Sequence, residues 1–131
     1  MLSQISATRT LIVGAGGFLG ASSRYLIGGI VYNYLPATFP YATLIINVSG
    51  CFFIGLLGAM AEERAVLGPT SRLFWMVGVL GGYTTYSTFG YETTSLVRES
   101  SYLPAGLYVI GHLVAGLGAV WAGAFVARWL L

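Results

Sequence analysis

Apolar residues gather into four long runs along the chain, and polar residues collect in three short links between them. Taking a spanning helix as roughly 20 residues, the runs predict helices over 10–32, 41–61, 73–97 and 104–129. The first link carries Asn33 and Pro36, the second is EERAVLGPTSR and the third is RESSY. Charges, prolines and small polar residues suit such segments, because water can satisfy their backbone. Nothing is left over for a soluble domain, so residues 1–131 read as a single all-α, four-helix transmembrane domain. A cleaved leader fits the start less well, since GAGGFLGASS is rich in glycine and its apolar run continues past Arg24.

The third run is interrupted. Its driest turns should be apolar, yet residues 81–89 read GGYTTYSTF. A bilayer offers no water to a broken helix, so such a stretch survives only where protein or a wet path satisfies its backbone. Gly81 and Gly82 lower the cost of leaving the helix, and the threonines and serine that follow can bond freed backbone groups. Carbonyls released at a break of this kind can hold a sodium-like cation within a membrane. Tyr86 and Phe89 lie three apart and share a face if the helix has resumed. Their electropositive ring edges suit an anion, although periodicity alone reads them as core aromatics.

A second polar signal is Asn47, inside the second run. An amide in hydrocarbon needs partners, and such groups face a bundle interior or a wet cavity. Thr43, Asn47 and Cys51 fall on one helical face, and Tyr108 with His112 forms a similar pair on the last helix. Asn47 as glue between helices and Asn47 as the lining of a pathway both stay open at this point. Two motif matches carry nothing. The glycine string at 14–20 lacks the spacing, strand and acidic partner of a dinucleotide site, and Asn47-Val48-Ser49 is a glycosylation pattern buried in an apolar run.

Composition and charge narrow the field. The 131 residues are 56% hydrophobic and 8% charged, with a mean hydropathy of +0.81, which places the chain among integral membrane proteins. All six basic residues are arginine (Arg9, Arg24, Arg64, Arg72, Arg98, Arg128), and all four acids are glutamate (Glu62, Glu63, Glu92, Glu99). No basic stripe dense enough for nucleic acid exists, and no nucleophile–base pair or metal-ligand cluster suggests an enzyme. Sorted by side, Arg9, Arg64, Arg72 and Arg128 oppose Arg24 and Arg98, a four-to-two bias that barely specifies orientation. Cys51 has no partner for an internal disulfide and reads as a small packing residue. Packing seams of small residues are predicted at Gly111, Ala115, Ala119, Gly123 and Ala127, at Gly16 with Gly20, at Gly17 with Ala21, and at Cys51, Gly55 and Ala59.

GGFLGASSRY in the first run, Thr43-Leu44 followed by Asn47 and Gly50 in the second, and GVLGGYTTYSTFGYET in the third together resemble the Fluc fluoride channels, also called CrcB proteins. The resemblance implies four-helix subunits, the third helix broken mid-membrane, assembled as antiparallel, dual-topology homodimers in the cell inner (plasma) membrane. It implies two fluoride pores, a central structural sodium ion, and passive export that lowers fluoride toxicity. Its partners are then fluoride, the bilayer and a second copy, with no nucleic acid or other protein. Carried across by position, the backbone carbonyls of Gly81 and Thr84 from both subunits hold the sodium, and Asn47 is the pore-lining amide. Tyr86 and Phe89 match two phenylalanines whose edges line the family's pores. Thr43, Ser87, Tyr108 and His112 continue the pathway, while Arg24 and Glu92 lie at a pore mouth. Two departures stand out: Tyr86 replaces a phenylalanine, and His112 and Gly116 stand where serines are often found.

Fluoride is small and strongly hydrated, so a pore must replace its lost water with neutral donors that still let it leave. The main competing class is a small four-helix, proton-coupled multidrug exporter. That mechanism needs a membrane-buried carboxylate near the midplane; the first, second and last runs have none, and Glu92 lies toward the end of the third. A non-transporting membrane subunit, its polar groups all glue, is the remaining alternative.

Overall fold

The computed structural model describes residues 5–63 and 65–130; Arg64, counted above with the arginines of one side, lies outside the described residues. All regular structure among the described residues is helical: α1 (Ala7–Tyr34), α2 (Tyr41–Glu62), α3 (Pro69–Arg72), a π-helical stretch (Leu73–Leu80), α4 (Gly81–Tyr83), α5 (Tyr86–Arg98) and α6 (Tyr102–Leu130). Among the described residues three helices, α1, α2 and α6, are long and apolar enough to cross a membrane. The third predicted run is assembled instead from shorter pieces.

Local chemistry sets the ends. Ser6 caps α1 by accepting the Arg9 N–H at 3.2 Å. That helix stops at Leu35, which is extended (φ −117°, ψ 143°), as a residue before proline prefers to be. Pro69 opens α3 at a position where its missing N–H costs nothing. At the end of α5, Ser100 takes a left-handed φ of 57°. Its N–H reaches the Val97 carbonyl at 3.0 Å, and that of Ser101 reaches Leu96 at 2.9 Å. This doubly bonded turn satisfies the last carbonyls of α5 and returns the chain directly into α6.

The helices pack as two pairs, α2 with α6 and α1 with the π-helical stretch and α4. Lipid tails are as apolar as leucine, so close backbone contact has to hold each pair. On the first pair a Cβ at Gly55 would collide with the Val120 carbonyl, and one at Gly123 with the Phe52 carbonyl. On the second, a Cβ at Gly20 would strike the Val79 carbonyl and stand 2.8 Å from the Tyr83 nitrogen. The α6 seam departs from the predicted row: Gly123 and Ala127 are buried, but Ala115 is exposed and Gly116 is buried in its place. A strict four-residue row advances about 40° per step around a helix of 3.6 residues per turn, so it leaves the contact face and the buried set must step back.

Two apolar clusters flank the interruption. Ile46, Leu80 and Tyr83 gather Ile27, Ile54 and Leu57 on one side; Leu96, Ala105 and Tyr108 gather Phe39, Leu44 and Phe89 on the other. Large apolar side chains such as Phe18, Val114 and Trp121 point outward, as hydrocarbon surroundings favour. At one end of the bundle Arg128 pairs with Glu63 at 2.7 Å, and Arg72 donates to the carbonyls of Leu67 and Ala61. Arg9 borders the same recess as Arg72, which groups three of the arginines that the sequence assigns to one side.

Candidate functional site

Thr84 and Thr85 are extended, at φ −86°, ψ 157° and φ −151°, ψ 122°. The chain therefore leaves the helix after Tyr83 and not at the glycine pair, where the sequence reading expects it. Gly81 is helical (φ −62°, ψ −37°), and Gly82 serves a different need, since a Cβ there would sit 2.6 Å from the Gly17 carbonyl of α1. The departure falls to two β-branched residues, whose side chains suit extended backbone.

Asn47 bridges the interruption. Its Oδ1 accepts the Thr85 N–H at 2.9 Å, and its Nδ2 donates to the Thr85 carbonyl at 3.0 Å. Thr85 in turn caps α5, its Oγ1 accepting the Thr88 N–H at 3.2 Å. An uninterrupted helix would send the Thr85 N–H to the Gly81 carbonyl and the Thr88 N–H to the Thr84 carbonyl. Both donors are diverted, so the Gly81 and Thr84 carbonyls lose the partners a continuous helix would give them. Thr84 keeps only its own N–H in the ladder, bonded to the Leu80 carbonyl at 3.0 Å.

Asn47 Nδ2 also lies 3.2 Å from His112 Nε2, and His112 Nδ1 lies 3.0 Å from the Tyr108 carbonyl. The imidazole packs on Phe89, ring centroids 4.4 Å apart, and edge-on to Tyr108 at 4.5 Å. Phe89 also meets Tyr86 at 5.6 Å and a 45° tilt. Tyr108 is fully buried. Its hydroxyl donates to Glu92 Oε2, and Thr43 Oγ1 donates to Glu92 Oε1 at 3.0 Å.

These side chains border two clefts. One of about 420 Å³ is lined by Asn47, Gly81, Thr84, Tyr86, Phe89 and His112 among mostly apolar neighbours. The other, about 830 Å³, holds Arg24, Thr43, Thr88 and Glu92. Thr85 lines both. Tyr86 is 84% exposed on the chain taken alone, and Ser87, also exposed, places its hydroxyl 3.3 Å from Thr85 Oγ1. The candidates thus divide: Asn47, Gly81, Thr84, Tyr86, Phe89 and His112 on one cleft, Arg24, Thr43 and Glu92 on the other, with Tyr108 buried between Glu92 and His112.

Thr85 is the residue that sequence reasoning passes over. It exchanges two bonds with Asn47, caps α5 and separates the clefts. A threonine opening a helix after a break is an N-cap signal, and that signal was available. Chemically, the first cleft is lined by an amide, hydroxyls and aromatic rings with no carboxylate or guanidinium among them, and the second sets a guanidinium and a carboxylate at its walls.

The profile of the family described as CrcB-like protein, Camphor Resistance (CrcB), matches residues 11–124. The chain is 39% identical over 124 residues to a protein of Chlorobium chlorochromatii named fluoride-specific ion channel FluC, covering 95% of each chain. Proteins of the same name from Solibacter usitatus and Chloroflexus aurantiacus are each 43% identical, over 118 residues (90% of this chain, 97% of the relative) and 119 residues (91% and 94%). With both the profile and these relatives spanning nearly its whole length, the chain belongs to the CrcB family, whose relatives named here are ion channels and not enzymes.

Proposed function

We propose that this protein is a fluoride-selective channel that lets the anion leave the cell down its electrochemical gradient across the inner (plasma) membrane. The observation that carries the reading is the bonded exchange between Asn47 and Thr85. It holds an interruption open inside an apolar bundle and brings an amide, threonine hydroxyls and the rings of Tyr86 and Phe89 to one cleft. The relatives named fluoride-specific ion channels support the choice of ion.

Fluoride gives up strong water bonds on entry, so the path must offer donors in their place. Neutral donors bind weakly enough for release, and Arg24 and Glu92 stand back from them on the second cleft. An interior-negative membrane potential then drives the anion outward by about 2.3 kcal/mol per charge per 100 mV.

Gly81 and Thr84 fit a sodium ion in one respect: their carbonyls are uncharged, hard oxygens released from helical donors. Bound there, the ion would supply a fixed positive charge that draws the two halves of the third segment toward it. Two carbonyls cannot enclose a cation, and Gly81 is exposed on this chain, so the reading assigns the remaining ligands to the same residues of a second, antiparallel copy, with one pore on each side. The weak four-to-two bias of arginines between the two sides is compatible with insertion in both orientations. A proton-coupled exporter of organic cations would need a carboxylate free to trade a proton for substrate, whereas both Glu92 oxygens accept hydroxyl donors.

Bacteria stripped of their own fluoride export should regain growth on fluoride medium when they make this chain. Continued poisoning, with the protein detected in the membrane, would count against export.

A further inference from the structure

The geometry points to His112 as a positioning residue of the pathway: as the neutral Nδ1–H tautomer it accepts the second Nδ2 hydrogen of Asn47 and holds that amide in place. The inference rests on the fluoride reading for its flux readout, and on hydrogen-bond geometry alone for its spectroscopic one. Two contacts demand the same tautomer. The Tyr108 carbonyl, 3.0 Å from Nδ1, can only accept, so Nδ1 carries the hydrogen. Thr85 fixes the Asn47 amide by facing its Oδ1 with an N–H and its Nδ2 with a carbonyl. The second Nδ2 hydrogen therefore points at His112 Nε2, 3.2 Å away, which must be the acceptor.

A protonated imidazole donates from both nitrogens. It would set N–H against N–H at Asn47 and place a positive charge among otherwise neutral donors, where an anion would be held too tightly to pass. The titratable neighbours are few. Cys51 from α2 and Tyr86 from α5 line the same cleft, Tyr108 lies on the histidine's own helix, and Glu92 of α5 lies beyond the Tyr108 ring, bonded to its hydroxyl. Arg24 of α1 lines the other cleft. The 73–85 segment brings no ionisable side chain to this cleft. No formal charge on the cleft wall shields the pathway from a charged imidazole.

Three measurements on the full-length protein test the assignment. Nitrogen NMR of the single histidine should show the Nδ1–H form at neutral pH, converting to the doubly protonated form on acidification. Fluoride efflux from vesicles, corrected by protein-free vesicles, should fall severalfold over the same acidification that brings up the doubly protonated signal. His112→Gln keeps an acceptor that does not protonate; it should retain efflux within about threefold of the parent and lose the pH dependence. His112→Leu leaves the amide hydrogen unmet and should lose about tenfold at every pH. An Nε2–H or charged imidazole at neutral pH, a flat parental pH profile, a pH dependence retained in His112→Gln, or parental efflux in His112→Leu would each overturn it. Should the parent pass no fluoride, the tautomer still decides: the Nδ1–H form upholds the role of His112 while the fluoride reading falls.

Discussion

Asn47→Asp is expected to stop fluoride flux. The substitution replaces Nδ2, a double donor, with an oxygen that can only accept. That oxygen would face the Thr85 carbonyl, now 3.0 Å from Nδ2, and His112 Nε2, now 3.2 Å away. Two hydrogen bonds become two acceptor–acceptor contacts. At roughly 1–3 kcal/mol for each polar group left unmet, the two contacts together disfavour the present geometry by a factor of about thirty or more. The carboxylate also adds a negative charge where an anion must pass. Efflux of fluoride from vesicles measures the loss, and elution of the variant at the parental volume shows that it still folds. If Asn47→Asp aggregates, Asn47→Ser supplies a smaller, uncharged test: it keeps a hydroxyl but cannot span both Thr85 groups, so partial loss of flux is expected. Parental throughput in the aspartate variant would remove Asn47 from the pathway.

Gly20→Ala is expected to cost more stability than any other single methyl group added to α1. The new Cβ would collide with the Val79 carbonyl and crowd the Tyr83 nitrogen. Backbone atoms cannot swing aside as a side chain can, so α1 must retreat from the segment that precedes the interruption. Overpacking of this kind costs about 3 kcal/mol or more when nothing can relax. Gly14→Ala is the matched control on the same helix, because nothing lies within 4 Å of its added Cβ, and alanine favours the helix by about 1 kcal/mol. Thermal unfolding in detergent should separate the two clearly. Equal midpoints would mean that α1 and the π-helical stretch do not approach as closely as described.

Much of this arrangement was legible in the sequence because the bilayer restricts the choices. Four apolar runs with short links left few alternatives to a helical membrane bundle, and GGYTTYSTF announced an interruption because no apolar helix has use for it. The place where the helix stops was harder to read. Glycine's permissiveness argued for Gly81 and Gly82, but Gly82 is small because α1 passes against it, and a sequence does not reveal which glycines serve approach and which serve flexibility. The α6 seam failed for a related reason: Ala115 and Gly116 are equally small, and only the rotation of the helix against α2 decides which is buried. Asn47 stood out as costly and in need of partners. Its particular partner, the backbone of Thr85, lies 38 residues away, and such a pairing follows from tertiary packing that no local rule encodes. His112 was placed on the pathway only by position in a family, whereas its contact with Asn47 gives it a physical reason to be there.

The most direct test of the account is ion flux through the purified protein in vesicles loaded separately with fluoride and with chloride, with the membrane potential set by a potassium gradient. Rapid loss of fluoride, with chloride retained as in protein-free vesicles, is the predicted result. Equal passage of both halides, or retention of both by protein shown to be folded, would contradict it.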